Sequence, residues 1–120
     1  MIIGLPVKDD SENPEIDDRF GRGKMFCIVT ESGDFKIVKN TGKEQSSGAG
    51  GEAVRTLANE DIDTVIAPHV GPKAMDAFKA LGGIKIYDRG EAKTVKDALK
   101  FLKEGKLKEV ETENSGLKRV

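Results

Sequence analysis

Hydrophobic residues come first in short, nearly continuous runs and only later at helical spacing. Ile2 to Val7 is an apolar run followed at once by Lys8-Asp9-Asp10, the pattern of a buried first strand. Residues 8 to 23, rich in Asp, Glu, Asn, Pro, Gly and Arg, read as a long loop. Lys24 to Thr30 (KMFCIVT) is β-branched and aromatic, a second strand. Ser32-Gly33-Asp34 is a turn, and Phe35 to Asn40 alternates into a third strand, close enough to the second for a hairpin. Asn40 to Gly51 is a Gly/Ser-rich loop. From Glu52 the period changes: Ala53, Val54, Leu57 and Ala58 share one helical face. Thr64 to Ala67 is a compact strand. Gly71-Pro72 opens a second helix, with proline in a favoured first-turn position and Ala74, Ala77, Phe78 and Leu81 as its apolar stripe. Gly82-Gly83 stops it, and Ile84 to Tyr87 is a fifth strand. Thr94 can cap a last helix in which Val95, Ala98, Leu99 and Leu102 align, ending at Gly105.

The order β-β-β-α-β-α-β-α predicts an α/β fold: one mixed five-stranded sheet with helices on it. Right-handed connections put strands one, three, four and five in one direction and strand two in the other, the connectivity of the ribonuclease H-like motif. The expected organisation is a single α/β domain over residues 1–105 and a charged, frayed tail over 106–120. This topology brings the loops at 8–23, 41–51, 68–72 and 88–94 to one edge of the sheet, together with the N-termini of all three helices. Ligands of open α/β sheets favour that edge, and three positive dipole ends there suit an anion.

Charge and composition narrow the functional classes. Twenty Lys and Arg against 21 Asp and Glu leave a net charge of -1, without the basic excess of nucleic-acid binders or of polybasic membrane contacts. No apolar run approaches the roughly 20 residues of a membrane span. The first residues lack the basic region and apolar length of a signal peptide. A single cysteine excludes an intrachain disulfide and suits a reducing compartment, so a cytoplasmic protein is expected.

The candidate chemistry concentrates in the edge loops. Arg19 and Arg22 flank Phe20-Gly21. Their guanidinium groups either bind an anion bidentately or form ordinary surface pairs with Asp17 or Asp18. Gly48, Gly50 and Gly51 open a helix and can cradle an anion on backbone amides, in a loop expected to close over a ligand. This is neither a Walker loop nor a dinucleotide fingerprint. His69, the only histidine, follows the fourth strand just before Gly71, either as a metal ligand or as a surface group. Cys27 is either a soft-metal ligand or, mid-strand, a small buried hydrophobe. One Cys and one His cannot build a closed zinc site or a four-cysteine iron–sulfur site. Any cluster carried here is therefore preassembled and held through few ligands and many surrounding contacts. A nuclease reading fails because the first and fourth strands carry no central acid, and the loop acids, Asp17 and Asp18 among them, are expected to be solvated. A triad hydrolase fails for want of a GxSxG elbow. With no nucleophile–base constellation, a binding protein is expected rather than an enzyme.

Taken together, the segments resemble a known family. Asp18-Arg19-Phe20-Gly21-Arg22-Gly23 leads into Met25-Phe26-Cys27-Ile28-Val29. Asn40 precedes Gly48-Ala49-Gly50-Gly51, Ala53 and Leu57. Val65-Ile66-Ala67 precedes Gly71-Pro72-Lys73-Ala74, Leu81 and Gly83-Ile84-Lys85-Ile86-Tyr87. In this order and spacing they are similar to the dinitrogenase iron–molybdenum cofactor-binding family, of the NifX and NifB C-terminal type. The resemblance implies a ribonuclease H-like fold and a protein that binds or carries the iron–molybdenum cofactor, or its iron–sulfur precursor, during nitrogenase cofactor biosynthesis. A partner protein in cluster assembly is implied with it. The alternative is a non-enzymatic regulatory module that binds a small anion or a protein partner.

Overall fold

The computed structural model describes residues 1–40 and 49–110. Its strands and helices follow in the order β1 (Ile2–Val7), β2 (Met25–Thr30), β3 (Phe35–Lys39), α1 (Ala49–Ala58), β4 (Thr64–Ala67), α2 (Pro72–Leu81), β5 (Lys85–Asp88), α3 (Val95–Lys103) and β6 (Glu109–Val110). The strands form one mixed sheet in the order β3-β2-β1-β4-β5-β6. β2 runs antiparallel to both β1 and β3, while β4 and β5 continue parallel to β1. Strands one, three, four and five therefore share a direction, as the sequence predicts.

The sheet has six strands and not the expected five. The addition is β6, whose Glu109 and Val110 pair antiparallel with Tyr87 and Ile86. These residues lie in the charged stretch that reads as tail. A two-residue edge strand carries too little apolar pattern to stand out among lysines and glutamates. Residues 111–120 lie outside the described residues.

The sheet is covered on both faces, so β4 is buried along its whole length and β1 from Ile3 onward. Period-two alternation sorts their side chains. Phe26, Ile28, Val65, Ala67 and Ile86 pack with Leu57 of α1 and Phe78 of α2. Ile3, Leu5, Val7, Cys27, Val29 and Ile66 point the other way, toward Val95 and Ala98 of α3. α1 packs tightly on the sheet at Gly4, where a Cβ would stand 2.8 Å from Leu57 Cδ2. Leu81, expected in the apolar stripe of α2, is instead 51% exposed at the helix end; the helix terminates at Gly82, with φ 73°.

Pro6 sits inside a central strand, a position usually closed to proline. Only Ile3 and Gly4 of β1 pair with β4, so the ladder on that side has ended before Pro6. The Pro6 carbonyl instead accepts the Asp17 amide at 2.9 Å. The long loop thus folds back onto β1, with bridges from Val7 to Ile16 and from Glu15 to Thr94. This return carries residues 17–23 to the C-terminal edge of the sheet.

Candidate functional site

The turn over residues 17–23 is fixed by buried polar groups rather than by regular structure. Asp17 is 4% exposed, not solvated as its loop position suggests, and its Oδ1 accepts the Arg19 amide at 2.9 Å. Asn40 is 1% exposed. Its Nδ2 donates to the Gly21 carbonyl at 3.0 Å and to the Gly23 carbonyl at 2.9 Å, and its own amide donates to Lys24 O at 3.1 Å. Leaving the buried Gly23 carbonyl without a donor would cost about 1–3 kcal/mol, and the part-buried Gly21 carbonyl less, so Asn40 is a strong clamp. Gly23 lets the turn close: a Cβ there would lie 2.7 Å from Arg19 O. Phe20 is driven inward, its ring 5.4 Å from Phe26 and 5.6 Å from Phe78 between centroids. A buried aromatic between two rings anchors the turn to the sheet and to α2 together. Arg19 and Arg22 are left outside, exposed on a held backbone.

Beside this turn lies an open depression of about 400 Å³. Asp18, Arg19, Phe20, Gly21 and Arg22 line one side, and His69 and Gly71 the other. Gly71 is the N-cap of α2, in extended conformation, with no side-chain cap hydrogen bond, Pro72 in the first turn and no acidic residue there. Among the described residues nothing accepts from the Lys73 and Ala74 amides. The helix therefore presents an uncompensated positive end to the depression.

Of the acids nearby, each already has a cation. Arg19 Nε lies 3.6 Å from Asp17 Oδ1, and Arg89 Nη2 donates to Asp18 Oδ1 at 3.0 Å while its Nη1 donates to Ala92 O. Arg19 thus forms the surface pair that its sequence position allows, but only through Nε, and its side chain stays 63% exposed. The sum is a shallow basic hollow with one imidazole on its wall.

Six residues singled out from the sequence, Arg19, Phe20, Gly21, Arg22, His69 and Gly71, thus line one space. Phe20 contributes mainly as an anchor. Gly50 and Gly51 fall within α1, which begins at Ala49 rather than at Glu52; Gly48 lies outside the described residues. Cys27 is elsewhere: fully buried, on the α3 side of the sheet, with burial pushing its thiol from 9.0 up to about 12. That environment disfavours the thiolate a metal needs, and the small-hydrophobe alternative describes its surroundings. Among the described residues no group of three or more His, Cys, Asp and Glu converges to hold a metal ion. The burial of Asp17 and the reach of Arg89 lay beyond sequence reasoning. One looks like any loop acid, and the other acts across a separation of 71 residues.

The sequence pattern of the family described as dinitrogenase iron-molybdenum cofactor matches residues 1–105. The chain belongs to this family. An uncharacterized protein of Methanocaldococcus jannaschii is 33% identical over 115 residues, 92% of either chain. Among solved structures, the apo form of the orange protein from Desulfovibrio gigas superposes with a TM-score of 0.84 at 29% identity, covering 91% of this chain and 92% of that one. A putative NifB protein from Thermotoga gives 0.76 at 32% identity, covering 90% and 91%. At this level the comparisons support a cofactor-binding or carrier protein of mixed α/β fold. No helix among the described residues is long and apolar enough to cross a membrane.

Proposed function

We propose that the protein is a non-enzymatic, cytoplasmic carrier that holds a preassembled anionic metal cluster, of iron–sulfur or iron–molybdenum type, in the hollow between the Arg19–Arg22 turn and the start of α2. The strand order β3-β2-β1-β4-β5 is read with it as a ribonuclease H-like motif. The observation that carries the functional reading is the meeting of two exposed arginines, His69 and an uncapped helix N-terminus around one depression. Guanidinium groups and backbone amides supply charge-assisted hydrogen bonds to cluster sulfides and anionic ligands. The His69 imidazole supplies a single coordinate bond. With no thiolate in the hollow, this donor set suits cargo that arrives assembled and leaves again, and it does not suit a cluster built on the protein from free iron. A shallow, solvent-open hollow also suits handover to a partner protein in cluster assembly.

Anaerobic titration with iron–sulfur and iron–molybdenum cluster preparations, read by visible absorbance and metal content, tests the proposal. Saturation near one cluster per chain, weakened by His69→Ala and by Arg22→Ala, is the expected result. Absence of saturable binding would leave the small-anion module as the better account, since the same arginines and amides suit any oxyanion.

A further inference from the structure

A second depression of about 400 Å³ adjoins the first, lined by Lys8, Asp17, Asp18, Arg19 and Lys24. Asp18 and Arg19 form the ridge between the two. Its two acids are already engaged, Asp17 by the Arg19 amide and Nε, and Asp18 by Arg89. Of its cations, Arg19 shares its Nε with Asp17, which leaves the two lysines. Lys24 forms no ion pair among the described residues, and Lys8 has only an exposed pair with Glu15 at 3.2 Å, the weakest kind. Lys24 is nevertheless well placed, because its carbonyl is held by the buried Asn40 amide. The local balance is thus a positive surplus around a space large enough for a small ligand.

We infer that this depression is a second oxyanion subsite, taking a carboxylate or phosphate group between Lys8, Arg19 and Lys24. Arg19 is shared, since its planar fork serves acceptors in two directions from one exposed position. A ligand with two anionic centres spans the ridge, and the Arg89–Asp18 pair is what makes the crossing tolerable, by offsetting the carboxylate that would repel it. The subsite stands on its own lining residues and is testable on cluster-free protein.

The test is calorimetric titration of the full-length protein with inorganic phosphate and with succinate at low ionic strength, using wild type, Lys24→Gln and Arg22→Gln. The expected result is a saturable site that Lys24→Gln weakens about ten-fold, the loss of one charge-assisted contact. Arg22→Gln leaves that site unchanged and weakens only oxyanion binding in the first depression, because Arg22 lines that one alone. The inference is overturned if neither probe binds saturably, or if binding responds to Arg22→Gln and not to Lys24→Gln. Repeating the titration with cluster present separates two sources of the anion. Competition assigns the subsite to an arm of the cargo, and additive binding assigns it to a free carboxylate or phosphate. Phosphate binding without cluster binding would sink the carrier function while leaving the subsite intact.

Discussion

Two helices begin at the same edge of the sheet, and their N-termini are finished in opposite ways. At α3 the protein satisfies its own backbone. Val95 N donates to Pro14 O at 2.9 Å, Lys96 N to Asn13 Oδ1 at 3.0 Å and Asp97 N to Thr94 Oγ1 at 3.2 Å, with Asp97 adding a negative charge to the first turn. At α2 the cap is a glycine, the first residue is a proline without an N–H, and the first turn holds no acid. The backbone electrostatics of the two ends are the same. What differs is whether the described residues supply the compensating acceptor or leave the place open, and the open end is the one that faces His69 and the two arginines. The closed end is structure, and the open end borders the proposed site.

This contrast can be broken at the turn that completes the open end. Asn40→Ala removes the clamp on Gly21 and Gly23, and a loss of roughly 3 kcal/mol of stability in urea denaturation is expected from two stranded carbonyls. Anion and cluster binding should fall most in this variant, because the arginines lose their fixed backbone.

The contrast is sharpened by making α2 resemble α3. Gly71→Asp fits the local backbone, with φ -67° and nothing within 4 Å of the added Cβ. The new carboxylate caps the free amides, so thermal stability should rise by a few tenths, about 0.3 kcal/mol. Anion affinity should drop about ten-fold, as the protein now occupies its own site. A gain in both stability and affinity would contradict the comparison.

The reverse change at α3 should touch stability alone. Thr94→Ala removes the side-chain cap and is expected to cost about 1 kcal/mol in urea melts, with cluster and phosphate titrations unchanged.

Cys27→Ala has the smallest expected effect on binding, namely none, since the thiol lies on the opposite face. Its signature is pH dependence. The folded thiol keeps its proton up to about 12 while the unfolded thiol loses it near 9.0. The unfolded state therefore gains as pH rises through this window. The stability contribution is complete below pH 9.0 and is lost as pH climbs toward about 12. Alkaline urea melts should show a shallower decline in Cys27→Ala than in wild type.

The local elements were largely legible in the sequence because their signals are local. β1 and β4 appear at their observed limits, Thr94 announces its cap, and Gly71-Pro72 announces the start of α2. Strand direction follows from chain connectivity, and that alone places Arg19, Arg22, His69 and Gly71 at one edge. What stayed hidden depends on distant partners. Asn40 reads as the end of a strand, yet acts on carbonyls 17 and 19 residues away. Asp17 reads as a solvated acid, but the return of the loop along β1 buries it. β6 is defined by pairing with β5 and not by its own composition. In the hollow, residue identities were readable while the reason they hold still was not.

Paramagnetic mapping by amide NMR, with a reduced, paramagnetic iron–sulfur cluster titrated anaerobically into the full-length protein, tests the central claim most directly. The account expects amide signals of residues 19–22, 69–71, 73 and 74 to broaden beyond detection at one cluster per chain, while those of α3 from Val95 onward survive. Broadening centred on the start of α3, or spread evenly over the chain, would contradict it.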